Sequence, residues 1–299
     1  NKIKKVTDLG NITAYFEAAA LSSKSYPFGE NVELIVIPES VQSIGRYGFA
    51  NPNNTLKTII VNPTTPPQCN AYWAYNMPSD TIFYVPDASV EAYREASGWV
   101  DYADRIYPMS DYLLQYTSNE LRSSMVCWYN TKVSGVTNES LASDGLKDLS
   151  GKGHNLSMNG FEFTETNGLA SDGGIVFSGA QYMYATGLPI LTDFTVVAKR
   201  KWVQGNAAFV SKVSLSGSIY RGAFAIEQGS IGSWQESFTA RTVVERSSDD
   251  IIWMTPTSYC GTKITKGSIA DGPALRFGIT VDYGKMYWSG SLYSFALFD

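Results

Sequence analysis

Val32-Glu33-Leu34-Ile35-Val36-Ile37-Pro38 is a run of β-formers that stops at a proline. The same text returns as Leu56-Lys57-Thr58-Ile59-Ile60-Val61-Asn62-Pro63 and as Thr81-Ile82-Phe83-Tyr84-Val85-Pro86, with the prolines 25 and then 23 residues apart. β-Branched and aromatic residues suit a pleated, half-buried surface, and proline ends each run by removing a ladder donor. A period of about 20–29 residues marks one strand per turn of a coil, each strand burying a face against the next. After the first strand, Val41, Ile44 and Phe49 are spaced to face that same core.

Ile37, Pro38, Ser40, Val41, Ile44, Gly45 and Phe49, followed by Leu56, Ile59 and Val61, resemble the BspA-like (type 5) leucine-rich-repeat family of bacterial surface proteins. The segment from Tyr84 to Tyr93, continuing to Trp99, is similar to the family's capping segment. Asp87 is expected to cap a helix over Ala88–Ser97, with Val90 and Tyr93 on its inner face. The likeness covers residues 31–109. It leaves 1–30 as an N-terminal segment or partial repeat and 110–124 as a linker.

From Met125 onward the pattern changes to short strands separated by Gly, Asn, Asp and Ser turns, among them Ile175-Val176-Phe177, Phe194-Thr195-Val196-Val197-Ala198 and Leu292-Tyr293-Ser294-Phe295. Many strands at such intervals predict an antiparallel β-sandwich or jelly roll. Val126-Cys127-Trp128-Tyr129, Asp148 to Asn155, Ile175 to Tyr182, Leu191 to Val196 and the ending from Tyr287 to Tyr293 resemble a laminin-G/concanavalin-A-like domain over residues 125–299. Some phrases are also similar to surface and phage-structural proteins of gut anaerobes. The fold class expected is therefore mainly β, a short leucine-rich-repeat solenoid followed by a concanavalin A-like jelly roll.

Composition narrows the function. Of 299 residues 17% are charged and 13% aromatic, the reverse of a disordered chain. A net charge of −5 disfavours nucleic acid, and no apolar run is long enough for a membrane span. Cys69, Cys127 and Cys260 are too scattered for a zinc site or disulfide framework, and Cys127 reads as a small buried hydrophobe. The chain starts at Asn1 and reads as a processed form or excised fragment.

Catalytic groups are sparse. The single histidine, His154, sits in a Gly-rich turn and reads as solvated rather than as part of a triad. A glycanase needs two carboxylates about 5–9 Å apart. Glu162 and Glu165 would lie on opposite faces of a strand, and Glu245 to Asp250 reads as a polar hairpin loop. Calcium is the one metal the resemblance allows, with Asp172, Asp193 and Asp271 as loop acids, although Ser178-Gly179-Ala180-Gln181 stands where related domains carry acids. No other cofactor is expected.

Aromatics near strand ends, Tyr182, Trp202, Tyr220, Trp234 and Trp253, are the candidate ligand contacts, since their flat faces suit the C–H faces of sugars. Trp128 and Trp288 lie in apolar strands and are expected in the core. Lys199-Arg200-Lys201 reads as a charged strand edge. Together these readings imply a non-enzymatic extracellular recognition or adhesion protein that binds a surface glycan or protein receptor through the sandwich. One alternative is a phage virion fibre or decoration protein, which would be a homo-oligomer. The other is a glycanase of the concanavalin-like fold.

Overall fold

The computed structural model describes residues 5–6, 31–50, 53–115, 117–191, 193–205, 208–216, 219–227, 230–234, 251–264, 274–279 and 287–299. Asp271, Glu245 to Asp250 and most of 1–30 lie outside the described residues. The chain divides into two compact units, Asn1–Thr117 with Val133–Gly135, and Ser118–Lys132 with Val136–Asp299.

The first unit is built on the proline-terminated runs. Its strands are β1 (Lys5–Val6), β2 (Leu34–Ile37), β3 (Ser43–Ile44), β4 (Thr58–Val61), β5 (Gln68–Cys69), β6 (Ile82–Val85) and β7 (Ile106–Pro108). They pair in parallel in the order β1-β2-β4-β6-β7, and β3 pairs with β5 in a second parallel ladder. Leu34 pairs with Thr58 and Thr58 with Ile82, so the chain returns in register every 24 residues. Ile35, Ile59, Phe83 and Ile106 consequently form one column across four strands, and each is wholly buried. Burying a side chain of this size contributes about 1.5–3 kcal/mol, which is why the hydrophobic phase fixes the register. Val41, Ile44 and Phe49 join the same core, as their spacing predicts.

Two local features of this unit depart from expectation or from ordinary geometry. Val90 and Tyr93 are buried on a helix of only Val90–Glu95, preceded by a 3₁₀ turn at Asp87–Ser89. Asp87 makes no helix cap; its carboxylate accepts the Ser110 N–H and hydroxyl, because the chain beyond β7 offers better donors than the tight turn does. Left-handed backbone also recurs in successive coils, at Tyr47 (φ 61°), Tyr72 (φ 60°) and Gly98 (φ 85°), each just ahead of the aromatic that enters the core, Phe49, Trp73 and Trp99. That conformation costs an L-residue roughly 1–2 kcal/mol and glycine far less.

The second unit is antiparallel throughout. Its strands run β8 (Met125–Asn130), β9 (Ser157–Asn159), β10 (Ile175–Ser178), β11 (Tyr182–Thr186) and β12 (Thr195–Gly205). They continue as β13 (Ala208–Ser216), β14 (Ile219–Glu227), β15 (Ser230–Trp234) and β16 (Ile251–Thr255). The last four are β17 (Ser258–Tyr259), β18 (Thr262–Lys263), β19 (Ala274–Phe277) and β20 (Trp288–Phe298). One sheet has the order β10-β20-β12-β16-β17-β18, with β8 on the same edge of β20 as β10; the other runs β15-β14-β13-β19-β11-β9. Val196, Ala198, Ile252, Leu292 and Leu297 from the first sheet and Met183, Phe209, Phe224, Leu275 and Phe277 from the second share one buried cluster, so the two sheets sandwich a single core. Cys127 lies in it, wholly buried, and all three cysteines are free.

Candidate functional site

Strand alternation decides which aromatics reach solvent. Along β12, Val196, Ala198 and Arg200 are buried while Val197, Lys199, Lys201 and Val203 are exposed. The Lys199-Arg200-Lys201 run is therefore no strand edge: β12 is flanked by β16 and β20, and the two lysines stand on the outer face while Arg200 turns inward. There its guanidinium lies 4.9 Å from the Trp202 ring and 5.6 Å from Phe209.

The candidate ligand contacts separate accordingly. Trp202 is half-buried, packs against the core and meets Trp288 at 5.7 Å. Tyr182 is half-buried on the six-stranded sheet, its ring 6.1 Å from Tyr184. Tyr220 and Trp234 fall on β14 and β15 of that sheet, and their side chains lie outside the described residues. Trp253 alone stands on the outer face of the seven-stranded sheet, 40% exposed. Trp288 is buried as expected, but Trp128 is not a core residue: it is half-buried while its neighbours Cys127 and Tyr129 fill the core. The period-2 pleat sends it outward.

Register then brings distant residues together. Trp128 pairs with Ala296, Ala296 with Val197 and Val197 with Trp253, a row across four strands with a tryptophan at each end and small side chains between. The adjoining row is Asn130–Ser294–Lys199–Ile251, polar except at its exposed isoleucine. Lys199 Nζ lies 5.2 Å from the Tyr293 ring, whose hydroxyl donates to Asp172 at 2.8 Å. The Gly174 N–H and the Tyr293 hydroxyl hold the Asp172 carboxyl below the usual carboxylate range. Val197, Trp253 and Ile251 are exposed apolar side chains at neighbouring register positions of β12 and β16. Trp128 and Ala296 escape a reading of the sequence because no local pattern discloses pairings over such separations.

The other titratable candidates build turns. Asp148 accepts the backbone N–H groups of Trp128, Ser150 and His154, and the His154 carbonyl accepts the Tyr129 hydroxyl. Asp193 accepts the Phe194 N–H. Glu162 and Glu165 are exposed around the irregular turn closed by Thr164 and Asn167, not on a strand. Among the described residues no group of three or more His, Cys, Asp or Glu side chains converges to hold a metal.

No family model matches this chain, and no curated protein matches it. Solved structures with a partial likeness include the Trypanosoma rangeli sialidase in complex with sialic acid (TM-score 0.34, 12% identity, 59% of this chain and 31% of that one). Domain 4 of AbnA, a GH43 extracellular arabinanase from Geobacillus stearothermophilus in complex with arabinotriose, gives 0.33 and 10% over 59% of this chain and 92% of that one. The binding domain of botulinum neurotoxin DC in complex with rat synaptotagmin II gives 0.36 and 9% over 59% and 48%. Scores this low transfer neither a fold nor a ligand.

Proposed function

We propose that the second unit is a non-enzymatic recognition domain that binds a glycan across the outer face of the seven-stranded sheet. The row Trp128–Ala296–Val197–Trp253 carries this reading. Its two indoles stand three strand spacings apart, about 14 Å, with nothing larger than valine between them. A saccharide laid along such a trough stacks its C–H faces on the rings, and the neighbouring row offers amide, hydroxyl and ammonium groups to its hydroxyls. Among the described residues, the carboxylates hydrogen-bonded to this sheet are engaged in the fold, which supports the non-enzymatic reading. Asp148 is occupied by three backbone N–H groups and Asp172 by Gly174 and Tyr293, whereas glycoside hydrolysis needs two carboxylates available to the sugar.

The same proposal takes the second unit as a laminin-G/concanavalin-A-like domain. It takes the first as a short BspA-like leucine-rich-repeat solenoid, supported by its in-register return every 24 residues. The whole is then an extracellular or cell-surface protein. Screening the full chain on a glycan array, then titrating the best-bound oligosaccharide by calorimetry, tests the central claim. Trp253→Ala is expected to weaken binding roughly 3- to 10-fold, the range an aromatic contact of this kind commands. An array without a ligand, or a Trp253→Ala chain that binds like its parent, overturns it.

A further inference from the structure

The first unit carries an aromatic surface that the sandwich reading does not use. Tyr72 is 58% and Tyr75 44% exposed, and beneath them Tyr47 is buried, its ring 5.9 Å from Tyr72 and 5.5 Å from Tyr75. The exposed Arg46 guanidinium lies 5.0 Å from the Tyr47 ring centroid and 5.1 Å from that of Tyr72. Among the described residues it has no carboxylate partner. A cleft of about 340 Å³ adjoins the rings, lined by Asn70, Tyr72, Tyr75, Gly98, Asp101 and Tyr102 among others.

Backbone conformation argues that these tyrosines are there for what their side chains do. Three successive coils carry a left-handed residue one or two positions ahead of the core aromatic, and the third uses Gly98, where a Cβ would also meet that of Cys69 at 2.8 Å. The first two place tyrosine in the same strained conformation, Tyr47 donating its N–H to the Tyr72 carbonyl. Strain kept where a glycine would serve points to function. The polar groups restrict what fits. A guanidinium stacked on rings still directs its in-plane N–H groups outward and pairs bidentately with an acid group. In the lining of the cleft Asp101 only accepts hydrogen bonds and repels a second anion.

From this geometry we infer that the Arg46–Tyr47–Tyr72–Tyr75 surface and its cleft form a second binding site, for an acidic saccharide. Its sugar ring stacks on Tyr72 and Tyr75, its carboxylate or sulfate meets Arg46, and its hydroxyls donate to Asp101. An acidic peptide supplies the anion but not the hydroxyl donors.

The test titrates the full chain with a galacturonate oligosaccharide, a sulfated galactan fragment, the neutral galactan of equal length and a glutamate hexapeptide. At least one acidic sugar is expected to bind, with the neutral sugar at least tenfold weaker. Tyr72→Gly should lose tenfold or more while its melting temperature stays level or rises, the signature of relieved strain. Arg46→Gln should bring the acidic-to-neutral ratio toward one. A saccharide whose affinity falls in Trp253→Ala but not in Tyr72→Gly is held on the sheet face, which separates the two sites. Binding of the peptide as tight as the acidic sugars, no acidic sugar bound at millimolar concentration, or Tyr72→Gly binding like its parent would each overturn the inference.

Discussion

Burial governs the behaviour of Asp87. Removal from water pushes its carboxyl above the usual range, against the opposing pull of the Ser110 hydroxyl and N–H, and the like charge of Asp111 adds to the push. A raised folded-state value means that the fold tolerates the neutral acid better than the carboxylate. The stability this confers is present below the unfolded-state value and lost as pH rises through the folded one. Asp87→Asn keeps an acceptor for the Ser110 amide and carries no charge at any pH. Its stability relative to the parent is therefore expected to climb as pH rises through and above the ordinary carboxylate range in denaturant melts. A difference that stays flat with pH would mean that the carboxylate is hydrated as fully in the fold as in the unfolded chain.

At the scale of elements, the first unit must satisfy connections that form no ladder. Pro63-Thr64-Thr65-Pro66-Pro67 lies outside every strand, so its carbonyls need donors from elsewhere. The next coil provides them: the Tyr93 hydroxyl donates to the Pro63 carbonyl at 2.7 Å, Ser89 to Thr64 at 2.8 Å and the Trp99 indole N–H to Pro67 at 2.9 Å. Tyr93 and Trp99 are wholly buried, so these bonds are shielded from water. Tyr93→Phe leaves ring packing intact but orphans the Pro63 carbonyl, and should cost about 1–3 kcal/mol in a denaturant melt. A loss near zero would show that water reaches that carbonyl. The strands of this unit were legible because proline closes each run at a steady interval. The cross-coil bonds were not, since a tyrosine gives no local sign of a partner thirty residues away.

Across the whole molecule, what was hidden in the sequence is register. That Phe194 to Ala198 forms a strand follows from the text, but the row joining Trp128 to Trp253 exists only through two long-range pairings on β20 and one on β16. Trp128 reads as a core residue because Met125 to Tyr129 is apolar throughout, and only the pleat singles it out. The tyrosine surface of the first unit is hidden in the sequence for another reason. Its left-handed backbone is carried by tyrosines instead of the glycines that would announce it.

The two buried clusters share no residue, each unit holding its own. Units with separate cores are expected to unfold in separate cooperative steps, each responding to damage within its own core. Asp148→Ala deprives three backbone N–H groups in the second unit of their acceptor and should cost roughly 2–3 kcal/mol there, while Tyr93→Phe acts in the first. Calorimetry of the full chain should then resolve two transitions, one lowered by Asp148→Ala and the other by Tyr93→Phe. A single transition lowered by both substitutions would show that the two cores melt as one.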